Sequence, residues 1–229
     1  MRRKLLFTIA GGLSVLALVA VFFLWKSPVE EERTPETFEE IIYSNMEKNL
    51  PTFDFDNPKV FATVNGVPVY EYLFVLRKEL YKAAEEFSRN NPDEPNPLGL
   101  ENINLSDEQI VLELARNLLF IEYARTKGVV VHDSEIASEF SQINDRRQQS
   151  IQEGDPTVIQ SEQADNEMFE LLGITRDEAN WYLLKDNIHF SLCSTKYVRT
   201  FPSDGGYSDV GLICDELLSN AEIVYFNAS

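Results

Sequence analysis

The first 26 residues divide into a basic head and an apolar run. Residues 1–4 contain three basic side chains, and residues 5–25 form 21 uncharged positions that end at Lys26. A helix rises about 1.5 Å per residue, so this run spans roughly 31 Å, close to the ~30 Å hydrocarbon thickness of a bilayer. We predict a transmembrane anchor at residues 5–25. Residues 1–4 form a cytoplasmic basic head, because basic residues stay on the cytoplasmic side.

A cleaved signal peptide is the alternative interpretation of the same run. The apolar part of a signal peptide usually has about 7–15 residues and ends in a site of the small-x-small type. Here the run is longer and ends in large side chains, from Phe22 to Trp25. This pattern favours an uncleaved anchor, and both interpretations place the remaining chain on the extracytoplasmic side.

A β-hairpin is predicted at residues 60–64 and 67–69. Both runs are rich in β-branched residues, and Asn65 and Gly66 separate them. Asn-Gly is the strongest short-range hairpin signal, because both residues accept a positive φ. Pro68 cannot donate a backbone hydrogen bond, so the second strand should be an edge strand.

A third strand is predicted at residues 221–226, where apolar and aromatic residues follow the last helix. An isolated two-stranded hairpin is only marginally stable in water. We therefore expect residues 221–226 to pair with the hairpin, so that a small sheet joins the two ends of the domain.

The other predicted elements are amphipathic helices with apolar residues three and four positions apart. Ser106 and Thr175 begin capping boxes, and Gly128 and Gly173 follow helix ends, where a left-handed residue is common. The fold class is therefore mostly α: a multi-helix domain over residues 58–229 with a small three-stranded sheet. The predicted inward-facing residues are Leu73, Leu76, Leu80, Ala83, Phe87, Ile110, Leu114, Leu118, Ile121, Ile136, Phe140, Ile143, Ile151, Trp181, Leu184, Ile188 and Leu192.

Residues 26–57 are predicted to form a linker and one short helix. Thr34 would be its N-cap and Pro35 its first helical residue, because proline is favoured at that position. The helix would present one apolar face, consisting of Phe38, Ile41, Ile42 and Met46.

Charge excludes one large class of partners. Residues 27–229 contain 16 Lys and Arg against 38 Asp and Glu, a formal charge of −22. Phosphate backbones and anionic lipid headgroups would both be repelled by this field. We expect no nucleic-acid partner, and contact with the membrane only through the N-terminal helix.

The sequence contains no recognisable catalytic, cofactor-binding or metal-binding motif. A glycine-rich phosphate loop, a nucleophile elbow and a C-x-x-C pair are all missing. His132 lies at a predicted helix start, where a capping role is the simplest interpretation, and His189 lies on a helix face without metal-ligand spacing. We therefore predict a protein that is not an enzyme and uses no cofactor or metal.

The two cysteines allow two interpretations. Cys193 and Cys214 are too few for a disulfide scaffold or a structural zinc site. In an oxidising compartment they could form a disulfide. The alternative is that both are small buried hydrophobic residues on helix faces.

Four segments together resemble SurA- and PrsA-type extracytoplasmic chaperones of the bacterial cell envelope. Residues 60–69 lead into an amphipathic helix as at the start of that family's N-terminal domain. Residues 124–136 resemble its helix, Lys-Gly and next capped helix. Residues 171–179 are similar to its Leu-Gly-x-Thr helix start, and residues 220–226 resemble its closing strand. The resemblance covers about residues 58–229 and implies a SurA N-terminal-like, peptide-binding chaperone domain.

Many relatives carry a parvulin-type prolyl isomerase domain after the helix that corresponds to residues 181–197. Only 32 residues follow Tyr197 here, fewer than the ~50 that the smallest domains need. The resemblance thus implies a chaperone that binds unfolded or newly exported polypeptides in a groove between helices, at residues that the sequence does not identify. One alternative is a non-catalytic adaptor or assembly subunit for a specific membrane or cell-envelope partner. A peptidyl-prolyl cis-trans isomerase is the third hypothesis, disfavoured by the missing length.

Overall fold

The computed structural model describes residues 37–49, 53–99, 105–202 and 207–226. These residues form a mostly helical fold with one small antiparallel sheet, as the sequence predicts. The elements are α1 (Phe38–Asn49), β1 (Val60–Val64), β2 (Val67–Tyr70), α2 (Glu71–Asn90), α3 (Asp107–Thr126), α4 (Asp133–Gln152), α5 (Pro156–Leu172), α6 (Arg176–Glu178), a π-helical segment (Ala179–Leu184), α7 (Lys185–Thr200), α8 (Tyr207–Ser219) and β3 (Ile223–Tyr225).

The anchor predicted at residues 5–25 lies outside the described residues. Within the described ranges, no helix combines the length and the apolar character needed to cross a membrane. The anchor therefore stays a prediction.

The sheet has the strand order β2-β1-β3, with both pairings antiparallel. Thr63 of β1 lies opposite Pro68 of β2 on one side and opposite Val224 of β3 on the other. Asn65 and Gly66 form the turn with φ of 50° and 81°, as expected for a two-residue hairpin loop. The predicted pairing between the hairpin and the C-terminal strand is confirmed.

Hydrogen bonds at both ends hold β3 against β1. The Asn65 backbone N–H donates to the Glu222 carbonyl (2.9 Å), and the Asn65 side-chain oxygen accepts from the Glu222 N–H (2.8 Å). At the other end, the Phe226 N–H donates to the Phe61 carbonyl (3.0 Å). The turn residue Asn65 thus shapes the hairpin and also binds the chain segment that enters β3.

The apolar face of α1 is buried as predicted, but its described cap is Thr37. Thr37 and Glu40 form a capping box: the Thr37 N–H donates to Glu40 Oε2 (2.7 Å), and the Glu40 N–H donates to Thr37 Oγ1 (3.2 Å). The predicted cap, Thr34, and Pro35 lie outside the described residues. The buried face consists of Phe38, Ile41, Ile42 and Met46.

Two apolar cores meet at α3. The first contains α1, the sheet, α2, the second half of α5 and the first half of α3. The second contains the end of α3, the link after it, the start of α4, α7 and α8. Of the residues predicted to face inward on α3, Ile110 is buried, whereas Leu114, Leu118 and Ile121 are half-buried. Val111, Ala115 and Phe120 are fully buried as well. A helix surrounded by neighbours has no single apolar face, so its periodicity is weak.

The long helix after Gly173 differs from the prediction. Its predicted start is confirmed, because Thr175 and Glu178 form a capping box. Residues Ala179–Leu184 then form π-helix, which adds residues to the turn and rotates everything that follows. The 3.6-residue pattern through Trp181 therefore does not mark the buried face, and the buried residues are Ala179, Cys193, Ser194 and Tyr197.

Candidate functional site

Five rings from three separate segments form what we call the aromatic cluster: Phe53, Phe55, Tyr70, Tyr72 and Tyr182. The Phe55 and Tyr182 rings are stacked, with centroids 4.1 Å apart. Phe53 and Phe55 both contact Tyr72, at 5.8 and 5.6 Å between centroids, and Tyr70 stacks on Tyr72 at 5.8 Å. Only Tyr72 is buried, and the other four rings are half-exposed. The cluster therefore presents apolar ring area to solvent.

Local backbone geometry places these rings together. Phe53 and Phe55 lie two residues apart in the segment before β1, their ring centroids are 5.5 Å apart, and Asp54 between them is exposed. Tyr70 ends β2 and has the extended backbone of an N-cap, so the chain turns there directly into α2, which carries Tyr72. The sequence carries a signal for this arrangement in its Phe-x-Phe and Tyr-x-Tyr spacing, which our sequence analysis missed.

The π-helical segment supplies the fifth ring and an acceptor. The Tyr72 hydroxyl donates to the backbone carbonyl of Tyr182 at 3.3 Å. This bond links the start of α2 to the π-helical turn, and the Phe55–Tyr182 stacking links the segment before β1 to the same turn. π-Helical turns are often found at functional sites, so this position agrees with a functional role for the cluster.

Half-exposed side chains follow the cluster along the helix that carries Tyr182. Every residue from 180 to 190 is half-exposed, with none buried and none fully exposed. Lys185 lies over the Trp181 ring at 4.0 Å and covers part of it. The large apolar or aromatic residues in this stretch are Trp181, Tyr182, Leu183, Leu184, Ile188 and Phe190. Consecutive helical residues point to different sides of the helix, and Leu184, Ile188 and Phe190 pack in part against the second core. Only the outer parts of the side chains in this stretch are therefore open to a bound segment.

Acidic groups border this surface. Asp54 and Asp56 are exposed beside the two phenylalanines. Burial raises the pKa of the Asp186 carboxyl, and the positive charge of Lys185 opposes part of this shift. Burial and the nearby charge of Asp186 both raise the pKa of Tyr72, so this phenol stays protonated and keeps its hydrogen bond. The site thus combines aromatic area with negative charge.

The groove between α2 and α5 is filled by α1, which packs against both helices. Phe38 contacts the Phe87 ring of α2 edge to face, at 6.0 Å between centroids. At the other end of α1, Asn49 Nδ2 donates to Glu79 Oε2 at 3.1 Å, and Lys82 Nζ donates to the other oxygen of this buried carboxylate at 2.6 Å. The chain's own helix therefore occupies the interhelical groove that is closest to the predicted linker.

The two histidines lie on different helices, and His189 belongs to the half-exposed stretch of residues 180–190. His132 is the N-cap of α4, as predicted, and its backbone N–H donates to Glu135 Oε2 at 3.0 Å. His189 is half-buried on α7, where burial lowers its pKa. Within the described ranges, no group of three His, Cys, Asp or Glu side chains is arranged to hold a metal ion.

Cys193 and Cys214 belong to the second core. Both are free thiols, and both side chains are 1% exposed. Burial raises the pKa of both thiols, which lowers the fraction of reactive thiolate. As free thiols they pack as small apolar side chains. A disulfide between them in an oxidising compartment stays a prediction.

Comparison with models of protein families, with curated proteins and with solved structures found no match for this chain.

Proposed function

We propose that this chain is a membrane-anchored, extracytoplasmic, chaperone-like protein. It binds apolar segments of unfolded or newly exported polypeptides at the aromatic cluster and the half-exposed surface of residues 180–190. The observation that carries the proposal is the exposure pattern: four of the five clustered rings are half-exposed, and Tyr182 belongs to a helical stretch, residues 180–190, in which every side chain is partly exposed. Apolar area of this kind typically marks an interaction site.

The geometry suits weak and reversible binding. Burying apolar area contributes about 25 cal/mol per Å², and the cluster rings are already partly covered by one another. A bound segment would therefore gain modest energy at each ring, which agrees with transient contact to many clients. The formal charge of −22 over residues 27–229 would keep the protein and its complexes soluble.

The surface carries no arrangement that favours catalysis. Lys185, Asn187 and His189 lie on this stretch. Two further polar groups are the Tyr72 phenol, bonded to a backbone carbonyl, and the Asp186 carboxyl, which is half-buried beside it. Neither is paired with a nucleophile in the manner of an acid–base site. We therefore propose binding without chemical conversion, and no prolyl isomerase activity.

A dedicated adaptor is the second candidate. The observation that favours it is α1, which fills a groove that a broad-specificity chaperone would keep open. An adaptor would use the same aromatic surface for one partner in the membrane or cell envelope. Breadth of binding separates the two functions: a chaperone binds several unrelated unfolded chains, and an adaptor binds none of them.

Site-specific photo-crosslinking tests the location. A benzophenone amino acid replaces Tyr182 in one variant of the full chain and Tyr123 in a control variant. Tyr123 is also half-exposed, but it packs on the second core. Unfolded, reduced client proteins should crosslink at position 182 and not at position 123. Equal crosslinking at both positions, or none at 182, would contradict the assignment of this surface.

A further inference from the structure

Another exposed apolar feature among the described residues is strand β3 with the residue that follows it, at one edge of the sheet. Val224, Tyr225 and Phe226 are 47%, 46% and 50% exposed. Three consecutive large apolar residues are rarely left this exposed on an edge strand, because an open edge invites pairing with another chain. This feature is separate from the aromatic cluster that carries the proposed function.

Hydrogen-bond direction shows which backbone groups are open. The Phe226 N–H donates to Phe61 of β1, and Val224 lies opposite Thr63. Backbone groups of successive residues in a strand point to opposite sides. Ile223 and Tyr225 therefore direct their N–H and C=O groups away from β1. In the part of the chain that the structure describes, no strand pairs with that side.

The opposite edge of the same sheet is protected. Val64 and Val67 flank the two-residue turn and form a hydrogen-bonded pair position. Backbone groups alternate along a strand, so those of the next residue, Pro68 of β2, face the outer edge. Proline has no N–H and is a common edge-strand residue. Strand β3 contains neither a proline nor a charged residue. The two edges therefore differ in one respect that matters for docking: only the β3 edge offers a donor at each outward position.

The charge beside β3 indicates the chemistry of its partner. Asp107 and Glu108 begin α3, and both contribute, after burial, to the raised pKa of Tyr225. Asp107 forms an ion pair with Lys78 at 2.7 Å, so Glu108 carries the uncompensated charge beside the ring. Glu222 precedes the strand and is exposed. A second copy of this chain would bring the same acidic groups to the interface and would be repelled. A segment with basic side chains would be attracted.

We propose that the outer edge of β3 is a strand-addition site for a partner polypeptide that contributes an extended segment of alternating apolar and basic residues. Main-chain hydrogen bonds to Ile223 and Tyr225 hold the segment, as in other β-augmentation complexes. Its apolar side chains cover Val224 and Phe226, and its basic side chains face Glu108. The site does not depend on the aromatic cluster, so the proposed function and this inference can fail separately.

The test measures peptide binding to the full chain in lipid nanodiscs by fluorescence anisotropy. The probe is a ten-residue peptide of alternating valine and lysine. One control peptide alternates valine and glutamate, and a second is the valine–lysine peptide with its six central residues N-methylated. We expect only the unmodified valine–lysine peptide to bind. The valine–glutamate peptide carries negative instead of positive charge, and the N-methylated peptide lacks the backbone donors for strand pairing. Equal binding of the N-methylated peptide would overturn the proposal, since charge alone would then explain the affinity.

Two variants at one position separate backbone from side-chain effects. Tyr225→Pro removes the outward N–H, and Tyr225→Ala keeps it while removing the same ring. We expect Tyr225→Pro to weaken peptide binding about tenfold relative to Tyr225→Ala. This factor is close to the loss of affinity that one missing backbone hydrogen bond causes. Equal affinities would contradict strand addition, as would a dimer of the full chain in sedimentation that Tyr225→Pro dissociates. If Tyr225→Pro unfolds the domain, the comparison of the methylated and unmethylated peptides on the wild-type chain still shows whether binding needs backbone hydrogen bonds.

Discussion

The ring of Phe55 lies parallel to the ring of Tyr182, with 4.1 Å between the centroids and 1° between the planes. These residues are far apart in sequence, and neither is part of a periodic apolar pattern that would predict a buried position. Their contact places the segment before β1 on the π-helical turn. It also leaves the outer faces of the rings available, which is the basis of the proposed binding surface.

The first prediction concerns α1. Ile41 is 2% exposed in the first core, so Ile41→Ala should lower the free energy of unfolding by about 2–5 kcal/mol. The matched control on the same helix is Glu47→Ala at an exposed position, where a change within about 0.5 kcal/mol is expected. Chemical denaturation measures both. Equal stability of the two variants would mean that α1 is a displaceable segment rather than part of the core.

The second prediction concerns the sheet. Removing residues 221–229 deletes β3 and leaves the hairpin as an isolated pair of strands, which is marginal in water. It also uncovers Val64, which lies opposite Ile223. The melting temperature of the domain should fall clearly. Removing residues 227–229 alone is the control and should change it little. If the chain without residues 221–229 melted at the same temperature as the full chain, β3 would add no stability.

The third prediction concerns pH. The pKa of Asp186 is raised above its ordinary 3.8, so the native state binds this proton more tightly than the unfolded state. Its contribution to stability is therefore full below about pH 3.8 and is lost as the pH rises through the native pKa. Asp186→Asn should raise the melting temperature at pH 7, and the gain should disappear in strong acid.

The control for this prediction is Asp145→Asn, which removes an exposed carboxylate in the middle of α4. It should not reproduce the pH-dependent gain. A gain of equal size at both ends of the pH range would indicate that Asp186→Asn acts through packing rather than through ionisation.

The fourth prediction concerns the anchor at residues 5–25. The protein should remain in the membrane fraction after carbonate extraction and migrate at full length. Replacing three leucines of the run with lysine should release it, because charged residues at the bilayer centre are costly. A soluble protein with its N-terminus near residue 27 would instead support the signal-peptide interpretation.

Elements set by local chemistry were predictable from the sequence. The Asn65-Gly66 turn needs two residues that accept positive φ, and the capping boxes at Ser106 and Thr175 need only residues three positions apart. The length of α4 follows in the same way from its polar face and the break at Gly154. Each of these signals acts within a few residues, so the rest of the fold does not change it.

Features set by the surroundings were not predictable. The buried residues of α3 depend on neighbours on several sides, because this helix contributes to both cores. The π-helical turn departs from α-helical geometry at one place, and it rotates the side chains of all later residues of α7 about the helix axis. The aromatic cluster joins Phe53, Tyr72 and Tyr182 from three segments, so no single stretch of sequence reveals it.

The central claim is that residues 27–229 bind unfolded polypeptides at the aromatic cluster without catalysing prolyl isomerisation. The most direct measurement follows light scattering of a reduced, aggregation-prone substrate in the presence of the chain in nanodiscs. We expect the wild type to suppress aggregation and Tyr182→Ala to suppress it much less, with Tyr123→Ala as the matched control retaining wild-type activity. A protease-coupled proline-peptide assay on the same samples should give the background rate. No suppression by the wild type at several-fold molar excess, or an isomerisation rate clearly above background, would contradict the account.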